Sequence, residues 1–262
     1  MGVLNITTDS FSDGGKFIDP EKALDHAYYL AESGADILDI GGESSRPGAE
    51  SIPTEEEIKR VIPVIKKAAK KIKIPISVDT VKSEVAERAF DAGASILNDI
   101  SALRTDEKMA ALVAGNNAYV ILMHMRGTPT DMQENTEYDN IIGEICEFLN
   151  NSALKAIEKG IGEDKIIIDP GIGFGKSAEG NFIILKNLDK FVELGYPVMV
   201  GGSRKSFIGK ALAVDTDQRL EGSIAAACYA VMNGADIIRA HDVIETRRAI
   251  TIIEKISAAD RA

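Results

Sequence analysis

Eight times along the chain a short apolar run ends in a polar residue, or in a glycine turn leading to one, and a helix-like segment follows. The ends are Asn5, Asp39, Asp79, Asn98, His124, Asp169, the Gly201-to-Lys205 turn and His241. The runs lie at 3–6, 37–40, 74–78, 96–97, 119–123, 166–168, 197–200 and 237–238. They are short, often unalternated and rich in Val and Ile, as in strands covered on both faces of a parallel sheet. Amphipathic segments separate them, at 20–33, 54–72, 82–92, 106–115, 139–160, 178–194, 218–233 and 243–258. Eight such units in 262 residues match the usual length of a closed barrel. The expected fold is therefore α/β, a (β/α)8 TIM barrel, as a single domain over residues 1–262. An open doubly wound sheet is the alternative that the same alternation allows. In a closed barrel all eight strand ends meet on the face where such folds keep their active sites, so the pattern nominates site residues as well.

A weak internal repeat supports the count. Gly34-Ala35-Asp36-Ile37-Leu38-Asp39, Gly93-Ala94-Ser95-Ile96-Leu97-Asn98 and Gly234-Ala235-Asp236-Ile237-Ile238-Arg239 share one form. In each, glycine ends a helix and a strand starts after the turn. Asp19-Pro20 and Pro53-Thr54, the latter with Glu57 three residues on, read as helix starts. Three loops after strand ends are long, at 7–19, 41–53 and 125–138. Loops of that length inside a compact fold read as lids over a site.

Net charge is −11, which disfavours nucleic-acid and anionic-membrane partners. It does not disfavour an anionic substrate, because Arg46, Arg204, Lys205, Arg239 and His241 all fall near run ends. No apolar stretch approaches the roughly 20 residues that span a bilayer. The first residues lack the basic segment of a signal peptide, and Ile6 stands where a myristoylation signal needs Ser or Thr. A cytoplasmic enzyme is the expectation. Cys146 and Cys228 sit in helical patterns and read as reduced core residues.

Two phosphate-binding signatures fail. In Gly171-Ile172-Gly173-Phe174-Gly175-Lys176-Ser177 the nucleotide loop would need glycine where Pro170 stands. The dinucleotide pattern would need glycine in place of Lys176. The run reads instead as a tight turn that lets a ligand approach the backbone, with Phe174 available to pack on it.

Taken together, the strand-end segments resemble dihydropteroate synthase. The matching stretches are Asn5-Ile6-Thr7-Thr8-Asp9-Ser10-Phe11-Ser12-Asp13-Gly14-Gly15, Asp39-Ile40-Gly41-Gly42-Glu43-Ser44-Ser45-Arg46-Pro47-Gly48, Ser77-Val78-Asp79-Thr80, Asn98-Asp99-Ile100, Asp169-Pro170-Gly171 through Lys176, Ser203-Arg204-Lys205-Ser206-Phe207-Ile208-Gly209 and Arg239-Ala240-His241-Asp242-Val243. They occur in order, with compatible spacing, from the first residue to about Val243. The resemblance implies condensation of 6-hydroxymethyl-7,8-dihydropterin diphosphate with 4-aminobenzoate, usually with Mg²⁺, in a homodimer with small-molecule partners only.

The resemblance also assigns residues. Asn5, Arg46, Arg239 and His241 would hold the diphosphate, with Asn5 supplying the protein oxygen to Mg²⁺. Arginine suits a phosphate because its planar fork binds two oxygens. On residue type alone, Arg46 and Arg239 read equally as surface ion pairs. Asp79, Asn98 and Asp169 would face the pterin's amino-pyrimidine edge, and Lys205 and Phe174 its ring. A lone Asp or Asn at such a position would read as a helix cap. Ser206, Phe11 and Pro47 would receive the aminobenzoate. Asp79, Lys205 and Arg46 are the expected catalytic residues; Asp39, Ser203 and Arg204 support them. His124 has no role in the resemblance and reads as a buried histidine with its hydrogen bonds satisfied. Thr8 and Ser45 depart from the family's usual Pro and Thr. The sequence also starts almost on the first strand, where family members usually carry a segment covering the lower barrel end. A methyltetrahydrofolate methyltransferase and a catalytically silent pterin-binding paralogue are the competing readings.

Overall fold

The computed structural model describes residues 1–7 and 19–259. Strands and helices alternate from end to end. The strands are β1 (Gly2–Asn5), β2 (Leu38–Gly41), β3 (Ile76–Asp79), β4 (Ile96–Asp99), β5 (Tyr119–Met123), β6 (Ile166–Asp169), β7 (Met199–Val200) and β8 (Ile237–Ile238). The helices are α1 (Pro20–Glu32), α2 (Thr54–Ala68), α3 (Ser83–Ala92), α4 (Met109–Gly115), α5 (Ile141–Glu158), α6 (Ala178–Lys186), α7 (Asp189–Val192), α8 (Ser206–Leu212), α9 (Leu220–Met232) and α10 (Val243–Ser257). The single amphipathic segment expected at 178–194 is two helices, α6 and α7, joined at Asn187 and Leu188.

β1 to β6 form a parallel sheet in sequence order, and β7 pairs with β8. Parallel bridges at Ile168↔Val198 and Gly2↔Ala240 join the two pieces on both sides. The backbone bonds Ile168 N→Pro197 O (2.9 Å) and Val3 N→Ala240 O (3.1 Å) lie at these seams. The sheet therefore closes on itself as a TIM barrel, and the open-sheet alternative is excluded.

Local chemistry sets the element ends. Asp19 caps α1 by accepting from Glu21 N at 3.0 Å, with Pro20 at the first helical position. Ser177 caps α6 by accepting from Gly180 N at 3.0 Å. The three glycine repeats end their helices identically. Ala35, Ala94 and Ala235 each donate to a carbonyl five residues back, at 3.1, 2.9 and 3.0 Å. The capping box expected at Thr54 and Glu57 does not form: Pro53 stands at the cap, with no side-chain bond. Glu57 turns into the interior instead and is 1% exposed.

Strand alternation positions the site. Residues such as Leu4, Leu38, Ile40, Val78, Leu97, Leu122 and Ile168 belong to the large core cluster shared with the helices. Their neighbours point into the barrel, where Ile96, Ile121, Ile167 and Met199 form a separate apolar cluster. Two residues further along the same inward face come Asn98, Met123, Asp169 and Gly201. The barrel interior is thus apolar below and mainly polar at its C-terminal mouth.

Candidate active site

The register brings the inward residues of the first four strands together. Asn5 pairs with Gly41, Gly41 with Asp79, and Asp79 with Asn98. Gly41 has no side chain to fill the space between its neighbours. A Cβ built there would lie 3.3 Å from Asp79 Cβ and 3.7 Å from Asn5 Oδ1. One turn of the pleat below, Asp39 is fully buried.

Arg239 crosses this floor. Its Nε donates to Asp39 Oδ2 at 2.7 Å and its Nη2 to Asp79 Oδ2 at 2.9 Å. Asn98 Nδ2 also donates to Asp39 Oδ2, at 3.2 Å. Asp39 is therefore the hub of the network. Arg239, read from sequence as a phosphate ligand, has two of its donors on these carboxylates. Asn98 Oδ1 and Asp39 Oδ1 are buried with no hydrogen-bond partner among the described residues.

The second half of the mouth is built on turns. Asp169 accepts from Gly171 N at 2.7 Å. The following turn carries Phe174, whose ring lies 4.4 Å from Lys205 Nζ. Lys205 Nζ also donates to Ile172 O. Gly173 makes room for its stem: a Cβ there would be 3.1 Å from Lys205 Cδ. Gly171 is forced, because its φ is +71 and a Cβ at that position would lie only 2.0 Å from His124 O. Ser203 Oγ lies 3.2 Å from His241 Nδ1 and accepts from His241 N at 3.3 Å. Arg204 makes a two-pronged ion pair with Asp242, its Nε at 2.8 Å. This pair ties the turn after β7 to the residue before α10.

Burial and mutual charge perturb these groups. Burial pushes Asp79 up to about 7, with Arg239 pulling the other way and Asp39 adding to the push. Asp169 is raised by burial, opposed by Lys205. Lys205 is brought down to about 8 by burial, with Asp169 opposing. Burial also works against the charge on Arg239, but Asp39 and Asp79 outweigh it and raise its pKa. His241 falls to about 3 through burial and then the positive charge of Arg239; Arg46 acts in the same direction. Strongly perturbed acids and bases gathered at one mouth mark a functional site.

Arg46 is half-buried and Pro47 exposed on the loop after β2, while Ser206 is exposed at the start of α8. The loop after β5 leans on both neighbours. Gly48 N donates to Pro129 O at 2.9 Å, Gln133 Nε2 to Gly173 O at 2.9 Å, and Tyr138 Oη to Gly175 O at 2.8 Å. Phe11 and Thr8 lie outside the described residues.

His124 follows the last residue of β5 and so takes the opposite face from Met123. It packs edge-on against Phe148 of α5 at 4.8 Å between ring centres. Its Nδ1 lies 2.9 Å from the buried amine of Lys176, which also donates to Phe174 O at 2.8 Å. Burial and then Lys176 drive the His124 pKa far down. The inward end of β5 is Met123, which sequence reading missed. It joins Met125, Met132, Ile100 and Phe174 in an apolar wall. Counting by twos along β5 would have found it.

Known proteins place this geometry. The pterin binding enzyme family matches residues 1–241. The dihydropteroate synthase of Clostridium beijerinckii is 45% identical, over 98% of this chain and 93% of that protein. A Yersinia pestis dihydropteroate synthase solved in a sulfonamide drug complex superposes with a TM-score of 0.96 at 41% identity, covering 98% of this chain and 94% of the other. The Xanthomonas albilineans dihydropteroate synthase in complex with 7,8-dihydropteroate gives 0.89 at 42% identity, covering 98% and 93%. The chain belongs to the dihydropteroate synthase family of pterin-binding enzymes.

Proposed function

We propose that this chain, as one barrel domain, is a transferase of folate biosynthesis. It condenses 6-hydroxymethyl-7,8-dihydropterin diphosphate with 4-aminobenzoate, giving 7,8-dihydropteroate and diphosphate. The observation that carries the reading is the floor of Asp39, Asp79, Asn98 and Arg239, with the buried acceptor Asn98 Oδ1 unmatched by any donor among the described residues. A pterin edge offers donors beside an acceptor, and carboxylates with a carboxamide complement it. Asp79, Asn98 and Asp169 take that edge, and Lys205 and Phe174 take the ring. Arg46, His241, Asn5 and Arg239 take the diphosphate, and Ser206, Pro47 and Phe11 the aminobenzoate.

In the reaction the bond between the pterin methylene carbon and the diphosphate oxygen breaks, and its electron pair leaves with diphosphate. The arylamine lone pair forms the new C–N bond, and the amine then releases a proton. An arylamine is already nucleophilic and needs no strong base to attack. Our hypothesis is that departure precedes attack, with Asp79 and the ring stabilising the cationic carbon. Isotope effects showing simultaneous bond making and breaking would overturn that order.

Among the described residues no group of three or more His, Cys, Asp or Glu side chains could hold a metal ion. Magnesium keeps several waters and binds through few protein oxygens plus substrate phosphates, so a single ligand at Asn5 fits an ion arriving on the diphosphate. When bound it would neutralise the leaving charge.

A homodimer is supported by the apolar face of α6, α8 and α9, where Phe182, Leu212 and Tyr229 are exposed. No helix of the described residues is long and apolar enough to cross a membrane. A cytoplasmic location is supported by Cys146 and Cys228, both unpaired.

The test mixes the protein with the pterin diphosphate, Mg²⁺ and 4-aminobenzoate and measures dihydropteroate by mass. Product is expected, with competition by a sulfonamide and loss in Lys205→Ala. Bound pterin without product would overturn the assignment in favour of a silent paralogue.

A further inference from the structure

One half-buried charged cluster beside the mouth takes no part in the reaction described. Lys82, just before α3, donates from Nζ to Glu43 Oε2 at 2.5 Å, Ile52 O at 2.7 Å and Glu57 Oε2 at 2.8 Å. An ammonium has three hydrogens, and three acceptors are present for them. The acceptors come from the start of the 42–53 loop, its end, and α2. Glu43 Oε2 also accepts from Ile52 N at 2.9 Å and Ser51 Oγ at 3.1 Å. The peptide groups of Ile52 are thus gripped on both sides, the N–H by Glu43 and the carbonyl by Lys82.

The start of the loop is fixed as firmly. Arg60 Nη1 donates to Gly42 O at 2.9 Å, and a Cβ on Gly42 would meet Val61 Cγ1 at 2.7 Å. Between this neck and the tip lies a turn closed by Ala49 N→Arg46 O at 3.0 Å. The tip rests on the loop after β5 through Gly48 N→Pro129 O and Thr130 Oγ1→Ala49 O at 3.3 Å. The other end of the clamp runs to the floor. Lys82 N donates to Thr80 Oγ1 at 3.2 Å, and Thr80 follows Asp79. Thr80 N in turn donates to Asn98 O at 3.1 Å.

We propose that Lys82 is a positioning residue for the diphosphate end of the site. By tying both ends of the 43–52 loop to α2 and to the end of β3, it holds Arg46 in register with the pterin floor. The inference rests on the reading that Arg46 meets the diphosphate.

The test compares 6-hydroxymethyl-7,8-dihydropterin diphosphate with 6-hydroxymethylpterin, which lacks diphosphate, by calorimetric titration without 4-aminobenzoate. Lys82→Met alone would strand the Glu57 carboxylate, so Lys82→Met/Glu57→Gln is the working variant, with a melting curve to establish that it folds. Its affinity for the diphosphate ester should fall about tenfold, as for coupled neighbours in one network. Affinity for 6-hydroxymethylpterin should stay within about twofold, the usual scatter for uncoupled sites. Adding Arg46→Ala should then cost nothing more, and Lys82→Arg should recover part of the loss. Equal losses for both pterins would make Lys82 a general scaffold residue and overturn the proposal. So would an unchanged diphosphate preference in the variant when Arg46→Ala alone abolishes it. Should Arg46→Ala leave that preference intact, the diphosphate reading itself falls, and this proposal with it.

Discussion

Replacing Arg239 with methionine probes the floor most directly. The guanidinium bridges Asp39, whose side chain is 0% exposed, and Asp79, at 13%. Methionine keeps much of the volume but leaves two carboxylates facing each other. Removing one partner of a buried pair costs about 3–5 kcal/mol, because the surviving charge stays desolvated. Arg239 is itself 19% exposed, so about 3 kcal/mol is expected where both carboxylates are ionised. Proton uptake softens the loss. Burial already holds Asp79 at about 7 against the pull of Arg239, and without that pull it rises further. Above neutrality the folded variant then keeps a proton that wild type has lost and that the unfolded chain does not bind. More protons in the folded state mean that stability falls as pH rises. The deficit against wild type should therefore widen above about pH 7, by at most about 1.4 kcal/mol per unit. Urea denaturation should give a deficit of roughly 1 kcal/mol near pH 6 and roughly 3 kcal/mol near pH 8.5. Adding Asp79→Asn should recover most of the loss at the higher pH. A deficit that is flat with pH, or larger in acid, would refute the assignment of Arg239 as counter-charge to two buried acids.

Three further outcomes follow from other parts of the barrel. The His241 pKa, at about 3, lies below the unfolded value, so its contribution to stability is present above about pH 6.5 and lost as the pH falls towards 3. Relative to wild type, His241→Asn should therefore gain roughly 1.4 kcal/mol per unit on going from pH 6 to pH 4 in urea titrations; a constant difference would show that the ring is not buried neutral. Gly171→Ala adds a Cβ 2.0 Å from His124 O at φ +71. The backbone conformation alone costs about 1–2 kcal/mol, and the clash must move the turn, so pterin affinity should fall along with the melting temperature. Unaltered affinity would mean that the turn does not set the pterin site. If the proposed homodimer forms through the exposed apolar face, Leu212→Glu there should sediment as a monomer while the unsubstituted protein sediments as a dimer. A variant that still dimerises would place the interface elsewhere.

The barrel was legible because eight apolar runs, eight helical segments and three glycine turns agreed on one count. The two-helix break at Asn187 and Leu188 was not, since both helices continue one amphipathic pattern. Floor residues were legible where a polar side chain ended an inward face, as at Asp79, Asn98 and Asp169. Strand five misled for the same reason. His124 is the polar residue there, but it lies one position past Met123 and so faces α5. Polarity marked the end of the strand, and only parity decides which residue faces the barrel interior. Lys82, Glu43 and Glu57 were invisible as a unit because Lys82 lies 39 and 25 residues along the chain from its two carboxylates. Glu57 even matched a helix-capping pattern that it does not satisfy.

The floor network also redistributes the charge that a diphosphate needs. The family resemblance implies Arg46, Arg239 and His241, with Asn5, as the group that meets the diphosphate. In the structure Arg239 is matched by Asp39 and Asp79, and His241, at about 3, is neutral at pH 7. His241 can then offer a hydrogen bond but no charge. In the proposed reaction Arg46, and magnesium held partly by Asn5, add to the neutralisation of the leaving group. The acids lie at the floor, and the arginine assigned to the diphosphate sits on a loop above it. A substrate with a donor-rich edge at one end and an anion at the other meets opposite fields along the barrel axis, so it is driven to enter in one orientation. This division gives weight to the placement of Arg46. It also gives a physical reason for a half-buried lysine and two glutamates to hold the neck of that loop.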